Sequence, residues 1–299
     1  MATGLTLTGS SSLSDMSKII VAESIDNVEP SAPMMDLVSR YDIPTGSKQV
    51  NVPIWGRQSA TSLTEGVDLS VPQQVTATVV NLTASEHGIL SFVSDRLRHE
   101  NNENVLSAVG TMHGRAVGRL LDSDLLTLLD SFSTSKPGAG SNATFQTIAG
   151  AVSLLRTDNA TFGPAPSKPN AVLHPEQIRR LTQELAGIQA GGTGAAAGAV
   201  VPEGPSAEVI SSYWRGNDPI FGVPIYEDGN IDNTVSSTNA KGGVFAREAL
   251  ALAMENEIAA EEERDASLRG TEIVTVGTWG ESIVVNNWGV EIFSTASSI

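Results

Sequence analysis

Apolar and polar residues alternate from Gln49 to Trp55, with Val50, Val52 and Ile54 on one face. A period of two predicts a half-buried strand. After a polar stretch, Gly56–Asp68, the segment Val71–Ala84 is rich in Val and Thr, and Val75, Ala77 and Val79 repeat the strand spacing. Two long strands about a polar turn predict an extended hairpin. A two-stranded hairpin is marginal by itself in water, so this one needs a neighbour to lie on.

The period then changes. Leu106, Val109, His113, Val117, Leu120, Leu121, Leu125 and Leu128 recur at helical spacing. They predict the longest helix of the chain, over Glu103–Phe132. Leu106, Val109, Val117, Leu120, Leu121, Leu125 and Leu128 form its expected core line, packed on a sheet. His113, on the apolar side, reads as a packed structural histidine. Arg115, Arg119, Asp122 and Asp124 take polar positions. Ser94 is an expected helix cap, and Lys136-Pro137-Gly138 is a strong stop.

Beyond it, the pattern predicts short helices at Thr147–Arg156 and Pro175–Leu185, the second with Pro at its start. Ala171–Leu173 and Pro219–Tyr226 read as strands. Gly187–Gly204, containing GGTGAAAGA, reads as a surface loop, and Gly229–Gly243 as turn-rich. Arg247–Arg264 reads as a second long helix, with Ala249, Leu250, Ala253, Met254 and Ile258 apolar and Glu261–Glu263 solvated. Strands follow at Thr271–Val276, Ser282–Val285 and Val290–Phe293, with Gly277 and Gly280 punctuating a turn between the first two. Met1 to about Gly46 is a polar arm with a weak helical patch at Met16–Ile25. There is no internal repeat, and the class is α+β.

Composition narrows the function. At 299 residues the chain predicts about two domains. Aromatic residues are 5%, so small aliphatic side chains must do most of the packing. Cysteine is absent, which removes disulfides, thiolate chemistry and cysteine-based metal sites. The net charge of −16, with no long basic run, disfavours gripping a nucleic-acid backbone. No apolar run reaches the roughly 20 residues of a membrane span. The Ser/Thr-rich N-terminus lacks the pattern of a secretory signal, so cytosolic synthesis is expected.

Motifs for catalysis do not appear. His87, His99, His113 and His174 form no metal-ligand spacing, no GxSxG elbow is present, and GGTGAAAGA lacks the Lys-Ser/Thr ending of a phosphate loop. The acidic pairs Glu65/Asp68 and Glu227/Asp228 sit in turn-like segments and read as solvated charge. No cofactor, metal or catalytic residue is expected.

The order of parts is the informative signal. A polar arm, a long hairpin, a long helix, a compact α/β region with a Gly-rich loop, a helix and terminal strands resemble the major capsid protein of tailed bacteriophages, the Hong Kong 97-like fold. PIWGRQSATSLTEGVDLS, Pro53–Ser70, is similar to that family's extended loop, with Glu65-Gly66 at its tip. GILSFVSDRLRHE, Gly88–Glu100, resembles the passage into its spine helix. NAVLHPEQIRRL, Asn170–Leu181, resembles a strand–Pro–helix element of its axial domain, and DPIFGVPIYEDGNI, Asp218–Ile231, a strand there. The resemblance runs from about Asp36 to the end of the chain.

The resemblance implies an N-terminal arm over 1–48, an extended loop over 49–93, a peripheral domain over 94–138 and 246–299, and an axial domain over 139–245. It implies a shell subunit, not an enzyme, forming pentamers and hexamers around double-stranded DNA. Trp55, Arg57, Glu65 and Asp68 of the extended loop become expected contacts between subunits. Expected partners are copies of the chain, a portal protein, a decoration protein and a separate scaffolding protein, because the hairpin starts too early to leave room for a fused scaffold. The expected place is the virion capsid, assembled in the host cytoplasm. Crosslinking through a loop lysine is not expected: the lysines are Lys18, Lys48, Lys136, Lys168 and Lys241, none between Gln49 and Glu100. An encapsulin-like nanocompartment shell is the alternative, and a soluble hydrolase a more distant one.

Overall fold

A computed structural model describes residues 32–66, 68, 72–100, 105–158, 161–189, 222–232 and 239–296. The expected helical patch at Met16–Ile25 and the Gly/Ala-rich stretch from residue 190 lie outside them.

The chain enters through a one-turn helix, α1 (Met34–Leu37), and β1 (Ser39–Asp42). The hairpin follows as β2 (Gln49–Trp55) and β3 (Ala77–Thr83), then β4 (Ser85–Ser94). Next come α2 (Asp95–Glu100) and the long α3 (Val105–Thr127), which tightens into a 3-10 turn at Leu128–Ser131. The middle of the chain supplies β5 (Ser135–Pro137), α4 (Phe145–Arg156), β6 (Pro169–Leu173), α5 (Pro175–Gln189) and β7 (Ile225–Glu227). It closes with β8 (Asn239–Ala246), β9 (Leu250–Asp265), β10 (Gly270–Ile283) and β11 (Gly289–Thr295).

These strands build three sheets. One has the order β1-β9-β10-β4, with β1 parallel to β9 and the rest antiparallel. A second has the order β5-β11-β8-β6-β7. The hairpin β2-β3 stands apart as a two-stranded sheet.

Two cores hold the body. Val117, Leu121, Leu125 and Leu129 of the α3 segment pack with Leu250, Leu252 and Trp279 of the four-stranded sheet and with Met34 and Leu37 of α1. On the five-stranded sheet, Ile148 and Leu155 of α4 and Ile178 and Leu181 of α5 pack with Leu173, Val244 and Ile292. Thr144 starts α4 with a capping box: its Oγ1 accepts from Thr147 N at 3.1 Å, and Thr147 Oγ1 accepts from Thr144 N. Gln177, fully buried, ties α5 to the sheet: its Nε2 donates to the carbonyls of Ala240 and Ile292 and to Ser294 Oγ.

Four expectations are corrected. Arg247–Arg264 is not a helix. A 3-10 turn, Arg247–Ala249, leads into the sixteen-residue strand β9. Ala, Leu, Met and Glu favour helix intrinsically, and their spacing imitated one. Strand pairing wins because Leu250–Ala253 is covered on both faces between β1 and β10, where a continuous run of small apolar residues fits. Gly277 and Gly280 make no turn, since β10 runs unbroken from Gly270 to Ile283 and shifts register around Gly277. Residues from Asn239 in the expected turn-rich segment form β8, at the centre of the five-stranded sheet. Its Gly242 and Gly243 read as turn signals but serve close packing: a Cβ on Gly242 would lie 2.5 Å from the Val172 carbonyl oxygen.

The fourth correction concerns Leu120, which is 42% exposed and outside the core. The buried series Val117, Leu121, Leu125 and Leu129 advances in steps of four. Each step rotates the buried stripe by about 40° around a helix of 3.6 residues per turn. The stripe therefore winds away from Leu120.

Candidate functional site

The hairpin and the outer face of α3 are where the cores leave apolar side chains exposed. At its base the hairpin is anchored. Val52 and Leu82 are buried against Ile43 and against Ala251 and Ala253 of β9. From Gln49↔Thr83 to Trp55↔Ala77 the two strands pair in register.

Past the ladder the ribbon continues through Gly56 N to Thr76 O at 2.8 Å. Gln73 then bridges the strands: its Nε2 donates to Ser59 O at 2.6 Å and its Oε1 accepts from Ser59 N at 3.3 Å. Gln58 Nε2 donates to Gln74 O on the same ribbon. A polar side-chain ladder thus holds two strands together where no core is available.

Trp55 is 66% exposed, and Leu63, Val75 and Val79 on the same ribbon are also more than half exposed. Arg57 reaches back to its own subunit. Its guanidinium pairs with Asp158, and its N–H donates to Thr161 O at 3.3 Å. Glu65 and Asp68 lie exposed in the tip, where Gly66 takes φ +80° to close a turn. Three of the four expected contact residues therefore face solvent freely, and Arg57 is engaged within the chain. Leu63, Val75 and Val79 belong with them. The spacing of Val75 and Val79 was visible in the sequence, but the exposure of all three was not.

On α3, Val117, Leu121 and Leu125 are buried, and Leu128 is half-buried against the same core. Val109 is half-buried in a separate cluster with Val93, Leu97 and Ile273. Leu106 lies on the helix, and its side chain is outside the described residues. The opposite face carries Met112, half exposed, and Leu120.

His87, His113 and His174 serve structure. His113 is buried, with Nε2 2.7 Å from Ser91 Oγ and Nδ1 3.3 Å from Thr275 Oγ1, so it links α3 to β4 and β10. Burial holds its pKa below the ordinary value. His174 Nδ1 accepts from Glu176 N, and burial also lowers its pKa. His87 stacks on Trp279. Among the described residues no three His, Asp or Glu gather as a metal site. A cavity of about 440 Å³ beside α4 is lined by Ala149, Val152, Ser153, Arg156 and Thr157, a set with no general base.

No family model and no curated protein matches the sequence. Solved structures do. The chain resembles one from Mycobacterium phage Che8 with a TM-score of 0.69 at 18% identity, covering 92% of this chain and 95% of that one. The capsid of cyanophage P-SCSP1u gives 0.67 at 17%, over 94% and 93%. The acid-stable capsid of Helicobacter pylori bacteriophage KHP30 gives 0.68 at 10%, over 99% and 100%. The chain has the Hong Kong 97-like capsid fold. β2-β3 and α3 fall in the segments expected to be the extended loop and the spine helix. Identities this low leave geometry as the shared feature, carried by element order and packing.

Proposed function

We propose that the chain is the major capsid protein of a tailed bacteriophage. It self-assembles into pentamers and hexamers, which close an icosahedral shell around double-stranded DNA. The observation that carries this reading is the extended loop, an apolar and polar ribbon held outside both cores with Trp55, Leu63, Val75 and Val79 exposed. A ribbon with so little core of its own gains burial by lying on a neighbouring subunit. The capsid fold of its structural relatives gives that ribbon its setting.

The role is structural, in the virion capsid. The five-stranded sheet forms the axial domain around 139–245, joined by β5 and β11 from outside that range. The spine helix and the four-stranded sheet form the peripheral domain, and the segment before residue 49 is the arm. In a growing head the chain meets copies of itself, a portal protein, a scaffolding protein and a decoration protein. It encloses DNA without reading its sequence.

Deleting Arg57–Asp68 tests this reading. Electron micrographs of the purified wild-type chain, alone or co-expressed with its scaffold, should show closed shells. The deletion should give a soluble, folded subunit that forms none. Normal shells from the deletion would remove the extended loop from assembly.

A further inference from the structure

Asp122 comes from α3 and Asp228 from the turn after β7. Both are buried, at 1% and 0% exposure, which corrects the reading of Asp228 as solvated charge. Asp122 Oδ1 accepts from Met34 N of α1 at 3.2 Å, and its Oδ2 accepts from Asn230 Nδ2 at 3.0 Å. Asp228 Oδ1 accepts from Asn230 N at 2.8 Å. The backbone N–H of Asp228 donates to Leu173 O of β6 at 3.0 Å. The remaining oxygen, Asp228 Oδ2, is buried and has no donor among the described residues, and Asn230, bonded to both carboxylates, holds Asp228 beside Asp122.

Two buried carboxylates on one bridging Asn230 cannot both stay ionised at modest cost, and an orphan acceptor beside a second acceptor is unfavourable twice over. One proton resolves both problems. It makes Asp228 a donor to Asp122 and leaves a single charge, which Met34 N and Asn230 already solvate.

We propose that Asp122 and Asp228 share one proton and together form a pH-sensitive lock joining the spine helix, the turn after β7 and the α1 segment. The lock links the spine helix to the five-stranded sheet and to the entry of the chain. It is a property of the single subunit and does not depend on shell assembly.

The charged surroundings fix its direction. Asp122 is the ionisable group that raises Asp228, after burial itself. Glu227 precedes it on β7. His174 lies at the β6–α5 junction, and Glu176 in the first turn of α5; both Glu176 and Glu227 act on His174. Asp232 is exposed two residues past Asn230. On α1, Asp36 is turned outward and paired with Arg40. Burial first, and then Asp122, push Asp228 up to about 8. A closed lock keeps a proton that an opened one releases. The stabilisation is therefore complete below the ordinary carboxylate range and is lost as pH rises to about 8.

Hydrogen exchange of the full-length chain, read by mass spectrometry over residues 222–232 and 105–127, tests the lock between pH 6.5 and 9. Burial holds the His174 pKa below its ordinary value, which favours the neutral ring across that window. Relative to Asp228→Asn at the same pH, the wild-type opening constant should rise roughly tenfold per pH unit up to about 8, then level off. Asp228→Asn keeps a donor toward Asp122 and should show no such rise. Asp122→Asn removes the repelling charge and should move the plateau to lower pH, which keeps the test alive if Asp228→Asn misfolds. A flat wild-type profile, or an unmoved plateau in Asp122→Asn, overturns the lock. Sensitivity of the opening to a chelator overturns it too, since a divalent cation would then sit where the proton is placed.

Discussion

Trp279 Nε1 donates to Asp124 Oδ2 across 3.1 Å, and that bond pins β10 to the spine helix from inside the core. The indole is fully buried and stacks on His87 with ring centroids 4.3 Å apart. β10 is the strand that β4 and β9 both pair with, so one side chain coordinates helix and sheet. Trp279→Phe should lower subunit stability by about 1.5–3 kcal/mol through the lost bond to a charged group, with further loss from the space left behind. Asp124→Asn keeps an acceptor and should lose less. Urea unfolding of both variants checks the order, and equal losses would show that the carboxylate charge, not the bond, matters.

Leu120 and Leu121 are sequence neighbours with opposite expected roles. Leu121 is 2% exposed, and Leu121→Ala should cost roughly 2–5 kcal/mol by leaving a cavity. Leu120→Ala should change subunit stability by only about 0.5 kcal/mol. If the outer face of the spine helix meets a neighbour, shell yield falls while urea unfolding of the subunit stays put. A large stability loss from Leu120→Ala would show that the helix is rotated from the position described.

The difference between those two leucines marks how far sequence carried the fold. The hairpin and α3 were legible because their periods differ sharply and each pattern persists for several turns or alternations. β9 was not, because Ala, Leu and Glu at helical spacing carry the same local signal whether or not β10 lies alongside. β8 was hidden for the opposite reason: Gly242 and Gly243 look like turn residues until Val172 and Leu129 come within contact distance. Glu65 and Asp68 read as solvated charge in a turn-like segment, and Trp55 became an expected contact only through the resemblance. The grip of Arg57 on Asp158 joins residues 101 positions apart and leaves no local trace. Asp122 read as a polar helix position, and only Met34 and Asn230, distant in the chain, explain why it is buried.

Under the proposed function, the charge of −16 bears on how a shell would meet DNA. Retention of duplex DNA requires Lys and Arg at phosphates, and affinity falls steeply with salt. Free subunits should retain little duplex DNA on a filter at physiological salt and somewhat more at low salt. Tight retention at physiological salt would show that the eighteen Lys and Arg residues concentrate on one surface.

Gly280 is where the extended loop leaves the body. It pairs with Ala253 in the four-stranded sheet, and the end of β3 crosses directly over it. A Cβ at Gly280 would lie 2.2 Å from the Thr83 carbonyl oxygen and 2.6 Å from its carbonyl carbon. Both are backbone atoms, so no side-chain rotation relieves the clash. Gly280→Ala must therefore lift the base of the hairpin off β9 and open the small cluster of Ile43, Val52, Leu82, Ala251 and Ala253. The two main cores lie elsewhere and should persist, leaving circular dichroism close to wild type. Limited proteolysis should then cut within 49–84 faster, and shell yield should drop because the extended loop no longer points where a neighbour meets it. Gly150→Ala is the matched control. It sits inside α4 with open space at its Cβ, and the change should stabilise by about 0.5–1 kcal/mol. Unchanged proteolysis and normal shells from Gly280→Ala would mean that the loop can tilt at its base without consequence, and its aim would have to be set by the Arg57–Asp158 contact alone.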